Sequence, residues 1–286
     1  MAEAVRDPWA RWVLRAENEL ESMHPTRDRV LTNARVEAGD VLLDVGAGSG
    51  LIAFGALPLV GERGRVIFCD VSQVLLDHCR QAAVQLGVDG RCEFLLASAD
   101  DLAEVADASV DVVTTRSVLI YLEEKRRVFA EFYRVVRTGG RLSIFEPINS
   151  FDYPWRPDRF FGYDVGPVSD LTAKVMAVYD RLQPPDDPML DFDERDLLAH
   201  AEAAGFAELH MTLEIAVGSR PWTAGCSWEE FLQVAGNPCV PPIGEVLDEA
   251  LTLVERERFE AHLRPLVERG EGHGRMALAF LWAVKP

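Results

Sequence analysis

The chain has no apolar run approaching the ~20 residues that cross a bilayer. Its first residues, Met1 to Arg11, carry acids and lack the apolar centre of a secretory leader. No membrane partner is expected, and the default location is cytoplasmic. Cysteine is scarce, five in 286 residues, an odd number with no close pair, which argues against a disulfide framework. No histidine or cysteine spacing suits a metal, and His24, His210 and His273 are scattered surface or structural histidines. Basic residues are outnumbered, 29 against 47 acidic, for a net charge of −18. No Lys/Arg cluster interleaved with aromatics offsets that charge, so phosphate backbones should be repelled and no nucleic-acid partner is expected. Internal repeats and low-complexity tracts are also missing.

What is present reads as a folded chain, 48% hydrophobic and 27% charged. From residue 40 short β-branched runs alternate with helical stretches. The pattern predicts strands at Asp40–Val45, Arg65–Cys69, Cys92–Ala97, Val110–Thr115 and Arg141–Phe145. Helices are predicted at Leu51–Val60, Ser72–Leu86 and Lys125–Val136. Near-continuous apolar strands separated by amphipathic helices indicate an α/β fold with a mostly parallel sheet covered on both faces.

The regular beat stops at Pro147. Residues 148–190 cluster Pro, Asp and aromatics and read as an inserted cap. Glu194–Ala204 then reads as a helix stopped by Gly205, and Phe206–Val217 as a strand. A second departure, 218–274, opens with Trp222 and Trp228 and closes with a helical pattern from Glu245 to Glu268 that Pro265 should kink or divide. Arg275–Val284 reads as a last strand, and Arg6–Glu21 as an amphipathic helix. The expectation is one elaborated domain: an N-terminal cap 1–39, a core 40–147 continued by 191–217 and 275–286, and cap insertions 148–190 and 218–274.

The segment Val41-Leu-Leu-Asp-Val-Gly-Ala-Gly-Ser-Gly50 is an apolar strand running into Gly46-x-Gly48-x-Gly50 and then a helix. Glycines there permit a tight turn and close approach of a ligand to the backbone, and the helix N-terminus offers N–H groups and a positive dipole end. A dinucleotide fingerprint would need its third glycine at 51, where Leu51 stands, so NAD is disfavoured. The next strand ends in Asp70, about 20 residues beyond Gly50, where a carboxylate can accept from a ribose diol.

Together with Ser109-Val-Asp-Val-Val113 and Phe132-Tyr-Arg-Val-Val-Arg-Thr-Gly-Gly-Arg-Leu142 leading to Phe145-Glu-Pro147, these residues closely resemble the class I methyltransferases. The resemblance is strongest to the ubiquinone/menaquinone-biosynthesis type and the arsenite-methylating group, over residues 25–147. It implies a Rossmann-like seven-stranded sheet and S-adenosylmethionine as cofactor. It further implies that Gly46, Ala47, Gly48 and Gly50 surround the methionine part, that Asp44 lies near the amino group, and that Asp70 and Val71 receive the ribose. Ser98, Ala99 or Asp100 would meet adenine, although the usual Gly-Asp-Ala here reads Ala97-Ser98-Ala99. Thr115, Arg116 and Ser117 would form the edge shared by cofactor and acceptor, where Arg116 could pair with the cofactor carboxylate, with Asp44 or with an anionic substrate.

Methyl transfer from a sulfonium needs alignment and water exclusion more than a dedicated base, so no catalytic residue is assigned. Substrate-facing candidates are Glu146, Phe161 and Tyr163. The leading expectation is a small-molecule O-, N- or C-methyltransferase. The alternatives are a metalloid methyltransferase using Cys226 and Cys239, and a non-catalytic cofactor-binding protein. Self-association is left open.

Overall fold

The protein is described from a computed structural model that covers residues 7–15, 21–219, 221 and 223–286. Arg6 and residues 16–20 of the predicted Arg6–Glu21 helix, and Trp222, lie outside these residues. Five strands of the first half, β1 (Val41–Val45), β2 (Arg65–Asp70), β3 (Cys92–Leu96), β4 (Val110–Arg116) and β5 (Val136–Pro147), pair in parallel. With β8 (Ala207–Ser219) and β9 (Gly274–Val284) they form a seven-stranded sheet in the order β3-β2-β1-β4-β5-β9-β8, with β9 antiparallel to β5. Leu42, Leu43, Phe68, Val112, Val113 and Ile144 are almost wholly buried, as expected for strands flanked by helices.

The chain divides into two compact units: residues 1–147, 194–213 and 278–286 form the first, and 148–193 with 214–277 form the second. In the first, helices α1 (Pro8–Arg15), α2 (His24–Asn33), α3 (Leu51–Val60), α4 (Gln73–Leu86), α5 (Lys125–Val135) and α7 (Glu194–Ala204) accompany the sheet. Ser72 caps α4 by accepting from the Leu75 N–H, and Gly87 closes it in the left-handed conformation. The fifth strand is longer than the predicted Arg141–Phe145. A bulge between the Val110 and Val112 pairings carries the chain from Val136 to Arg141. Gly140 sits inside it, where a Cβ would lie 2.8 Å from the Arg137 carbonyl oxygen and 2.9 Å from that of Asp111.

The second unit contains both predicted insertions. It comprises a short hairpin of β6 (Arg159–Phe160) and β7 (Tyr163–Asp164) and helices α6 (Ser169–Leu182), α8 (Trp228–Leu232), α9 (Ile243–Ala250) and α10 (Leu253–Arg269). Its core gathers Phe160, Tyr163, Leu171, Val175, Trp228, Phe231, Leu247, Phe259 and Leu263. Here the structure corrects the expected Glu245–Glu268 helix. The break falls at Leu251–Thr252, where Thr252 accepts from the Glu255 N–H and the Glu255 carboxylate accepts from Thr252 N–H, a reciprocal cap that starts a new helix. Pro265 lies within α10 and does not divide it.

Candidate active site

Sheet order places the site. β1 has β2 on one side and β4 on the other, so the crevice beyond its carboxyl end is a topological switch point, where open α/β sheets bind ligands. The loop after β1 turns through Gly46 (φ +69°), Gly48 (φ +57°) and Gly50 (φ +86°), conformations that side chains resist, and Gly50 caps α3. At Gly46 there is also no room: a Cβ would lie 2.2 Å from Val118 Cγ2.

The loop and the acid of β2 are joined directly. Gly48 N–H donates to Asp70 Oδ2 (2.8 Å), Ser72 N–H donates to Asp70 Oδ1 (2.9 Å), and Ala47 N–H donates to the Cys69 carbonyl (2.9 Å). Asp70 is 6% exposed, and burial, stronger than these hydrogen bonds, pushes its carboxyl above the usual range. The carboxylate accepts from the backbone N–H groups of Gly48 and Ser72, with Val71 N–H also lowering its pKa, and two oxygens with about four lone-pair sites leave capacity for a hydroxyl donor. Val71, next along, is largely exposed.

Asp44, expected near the cofactor's amino group, is buried towards the end of β1. Its Oδ1 accepts from Thr114 Oγ1 (2.8 Å) and its Oδ2 from Ala53 N–H (3.1 Å), which ties β1 to β4 and to α3. Burial lifts it from 3.8 to about 7, against the lowering pull of these bonds and of Arg116. Glu146, also fully buried, is lifted from 4.5 to about 7 by desolvation, while bonds from the turn after β4 oppose the rise. Its Oε1 accepts from Val118 and Leu119 N–H (2.9 Å each), and its Oε2 has no hydrogen-bond partner. Glu146 therefore holds the turn that carries Val118 against Gly46. In that turn Ser117 takes φ +55° and donates its N–H to the Phe145 carbonyl.

The remaining residues named from sequence distribute as follows. Ser98 Oγ donates to the Asp100 carboxylate and Ala99 is buried, so this segment after β3 is built around its own side-chain bond. Thr115 is buried with its hydroxyl unpartnered. Arg116 is partly buried, and desolvation lowers its pKa although Asp44, Glu146 and Tyr121 pull the other way. Phe161 and Tyr163 belong to the second unit. Phe161 stacks edgewise on Phe160, and Tyr163 is wholly buried, with its ring against Phe231 and its hydroxyl donating to the Thr223 carbonyl. Tyr163 is part of that unit's core, and Phe161, partly buried, packs against it.

The thiols do not gather. Cys69 donates to the Ala97 carbonyl, Cys79 to that of Gly48, Cys92 to that of Val88 and Cys226 to that of Thr223. Burial pushes Cys69 up to about 12 and raises Cys92 and Cys239 as well. Among the described residues no three His, Cys, Asp or Glu side chains are placed to hold a metal ion.

Residues 43–144 match a protein family described as a methyltransferase domain. This part of the chain is similar to methyltransferase domains. The arsenite methyltransferase of Halobacterium salinarum is 34% identical over 148 residues, covering 50% of this chain and 37% of that protein. The ubiquinone/menaquinone biosynthesis C-methyltransferase of Klebsiella pneumoniae is 32% identical over 111 residues, covering 39% of this chain and 44% of that protein. The matched stretch thus spans less than half the length of each relative. The YcgJ protein of Bacillus subtilis shares the fold, with a TM-score of 0.56 at 15% identity over 92% of this chain and 98% of that one.

A geranyl diphosphate methyltransferase solved in complex with SAM shares the fold, with a TM-score of 0.51 at 17% identity, and the residues present here fit S-adenosylmethionine. A buried carboxylate with spare acceptor capacity ends β2, and the loop beside it turns through three glycines. Sequence reasoning missed how the N-terminal helix of the domain meets this edge. Asp7 accepts from Ser72 Oγ and caps α1 through Trp9 and Ala10 N–H, Val13 lies over Gly48, and Trp9 meets Tyr121 edge to face (4.6 Å). The amphipathic pattern announced a helix there, but not the three separated points it touches.

Proposed function

We propose that this protein transfers a methyl group from S-adenosylmethionine to a small-molecule acceptor. The observation that carries this reading is the Asp70 carboxylate, buried at the end of β2 and bonded to both Gly48 of the glycine loop and Ser72. That arrangement pre-forms a diol acceptor beside a backbone loop able to pass close to a ligand. Gly46, Ala47, Gly48 and Gly50 would line the methionine part, Asp70 and Val71 the ribose, and the Ser98–Asp100 segment the adenine edge. Asp44 would act from behind, fixing β1, β4 and α3.

The bound cofactor would supply an already activated methyl group. The chain's own residues then have to orient it and exclude water. Asp44 and Glu146 do the first by locking the loop and the turn that meet at Gly46 and Val118. An acid/base residue is unnecessary for an acceptor that is unprotonated at neutral pH. The net charge of −18 supports a small molecule over a nucleic acid as the acceptor. None of the five cysteines forms a disulfide, which suits a cytoplasmic setting.

Calorimetry with S-adenosylhomocysteine tests the reading. The unmutated protein should bind it, and Asp70→Ala should weaken binding by about 10- to 100-fold, the loss of hydrogen bonds to a charged acceptor. Equal affinity in both proteins would refute the assignment of Asp70. Mass spectrometry for a methyl gain on candidate acceptors separates an enzyme from a protein that only binds the cofactor.

A further inference from the structure

Among the described residues at this edge, Arg116 has no hydrogen bond or ion pair to its charge. Register puts Thr114 opposite Asp44 and Arg116 opposite Phe145, so Arg116 leaves β4 on the face that carries Asp44, two residues further towards the crevice. Its guanidinium feels Asp44 on β1, Glu146 on β5 and Tyr121 after β4. It nevertheless makes no hydrogen bond or close ion pair with any described residue. Asp44 is engaged by Thr114 and Ala53 and Glu146 Oε1 by Val118 and Leu119, while Glu146 Oε2 has no hydrogen-bond partner among the described residues. None of its nitrogens is among the buried polar atoms without a partner, so the partly buried guanidinium keeps its five N–H donors, in a fixed fork, open to whatever enters the crevice.

Two observations say what would pair with it. Asp44 and Glu146 are each lifted to about 7, so both can be protonated near neutral pH and need not repel an incoming anion. The position is also on the β4–β5 side of β1, away from Asp70 on β2, and the amino-acid carboxylate of the cofactor has the N-terminus of α3 available to it. A single arginine among acids matches a singly charged carboxylate better than a dianionic phosphate.

We propose that Arg116 anchors the methyl acceptor and that the acceptor is a small molecule bearing a carboxylate. The proposal rests on the methyltransferase reading above. It moves Arg116 from the cofactor to the acceptor and makes it a specificity-determining residue.

The test uses the full-length protein saturated with S-adenosylhomocysteine, titrated calorimetrically with benzoate against benzamide and phenylacetate against phenylacetamide. Each acid should bind at least about tenfold more tightly than its amide. The preference should vanish in Arg116→Met and Arg116→Gln and return in part in Arg116→Lys, with S-adenosylhomocysteine affinity held. Acids that bind no better than amides would overturn the proposal, as would a preference that survives in Arg116→Met. So would an Arg116→Met or Arg116→Gln protein that loses affinity for S-adenosylhomocysteine but not for 5′-methylthioadenosine, since Arg116 would then serve the cofactor carboxylate. Failure of the unmutated protein to bind S-adenosylhomocysteine would sink the underlying reading instead, and is observed before any acid is added.

Discussion

Gly46 combines two constraints that a side chain cannot meet together: a φ of +69° and the methyl group of Val118 pressed against the Cα. Gly46→Ala should cost about 1–3 kcal/mol in urea unfolding and weaken S-adenosylhomocysteine binding. Adding Val118→Ala should recover only the part due to the clash, because the backbone conformation remains disfavoured. Asp44 and Glu146 give the site a pH signature. Both native carboxyls titrate near 7, whereas the unfolded groups titrate near the ordinary 3.8 and 4.5. The native state therefore holds protons the unfolded chain has released. Their contribution to stability is complete below about pH 4, declines by up to ~1.4 kcal/mol per pH unit for each group, and is lost above about pH 7. Asp44→Asn and Glu146→Gln should each flatten unfolding free energy against pH over that window; an unchanged slope would contradict the assignment.

At the scale of elements, local chemistry decides boundaries that periodicity leaves open. The reciprocal bonds between Thr252 and Glu255 outweigh a continuous helical pattern, and Lys174 on α6 reinforces them by pairing with Glu255. Thr252→Ala should destabilise the second unit by about 1 kcal/mol, measured by denaturant unfolding. Helix α6 was hidden for the opposite reason. Leu171, Val175, Val178 and Tyr179 have helical spacing and are buried, but the prolines and aspartates on either side mask the signal. The site itself is an element-level product, since the strand ends and helix starts around β1 are tied by Asp44, Asp70 and Glu146.

For the whole molecule, each unit owns an aromatic core. Phe68 stacks on Phe94 and meets Phe54 edge to face in the first, while Phe259 meets Phe160 in the second. Phe259→Ala should cost the second unit about 3–5 kcal/mol, followed through the fluorescence of buried Trp228. The acidity is also a whole-molecule property, and it predicts no salt-sensitive binding to an RNA oligonucleotide in a filter or anisotropy assay.

The α/β class, the strand–glycine–helix turn and the partner acid at Asp70 were legible in the chain because each depends on neighbours in sequence: an apolar run, a spacing of glycines, a strand that ends in an acid. The departure at Pro147 was legible for the same reason. Tertiary structure alone decided that both insertions form one compact unit, because contacts between segments separated by a strand leave no local trace. It alone gave Asp44 and Glu146 their work as buried pins, since their hydrogen-bond partners lie 9 to 70 residues away. It also left Arg116 without a close partner among the described residues, although Asp44 and Glu146 lie near enough to act on its charge.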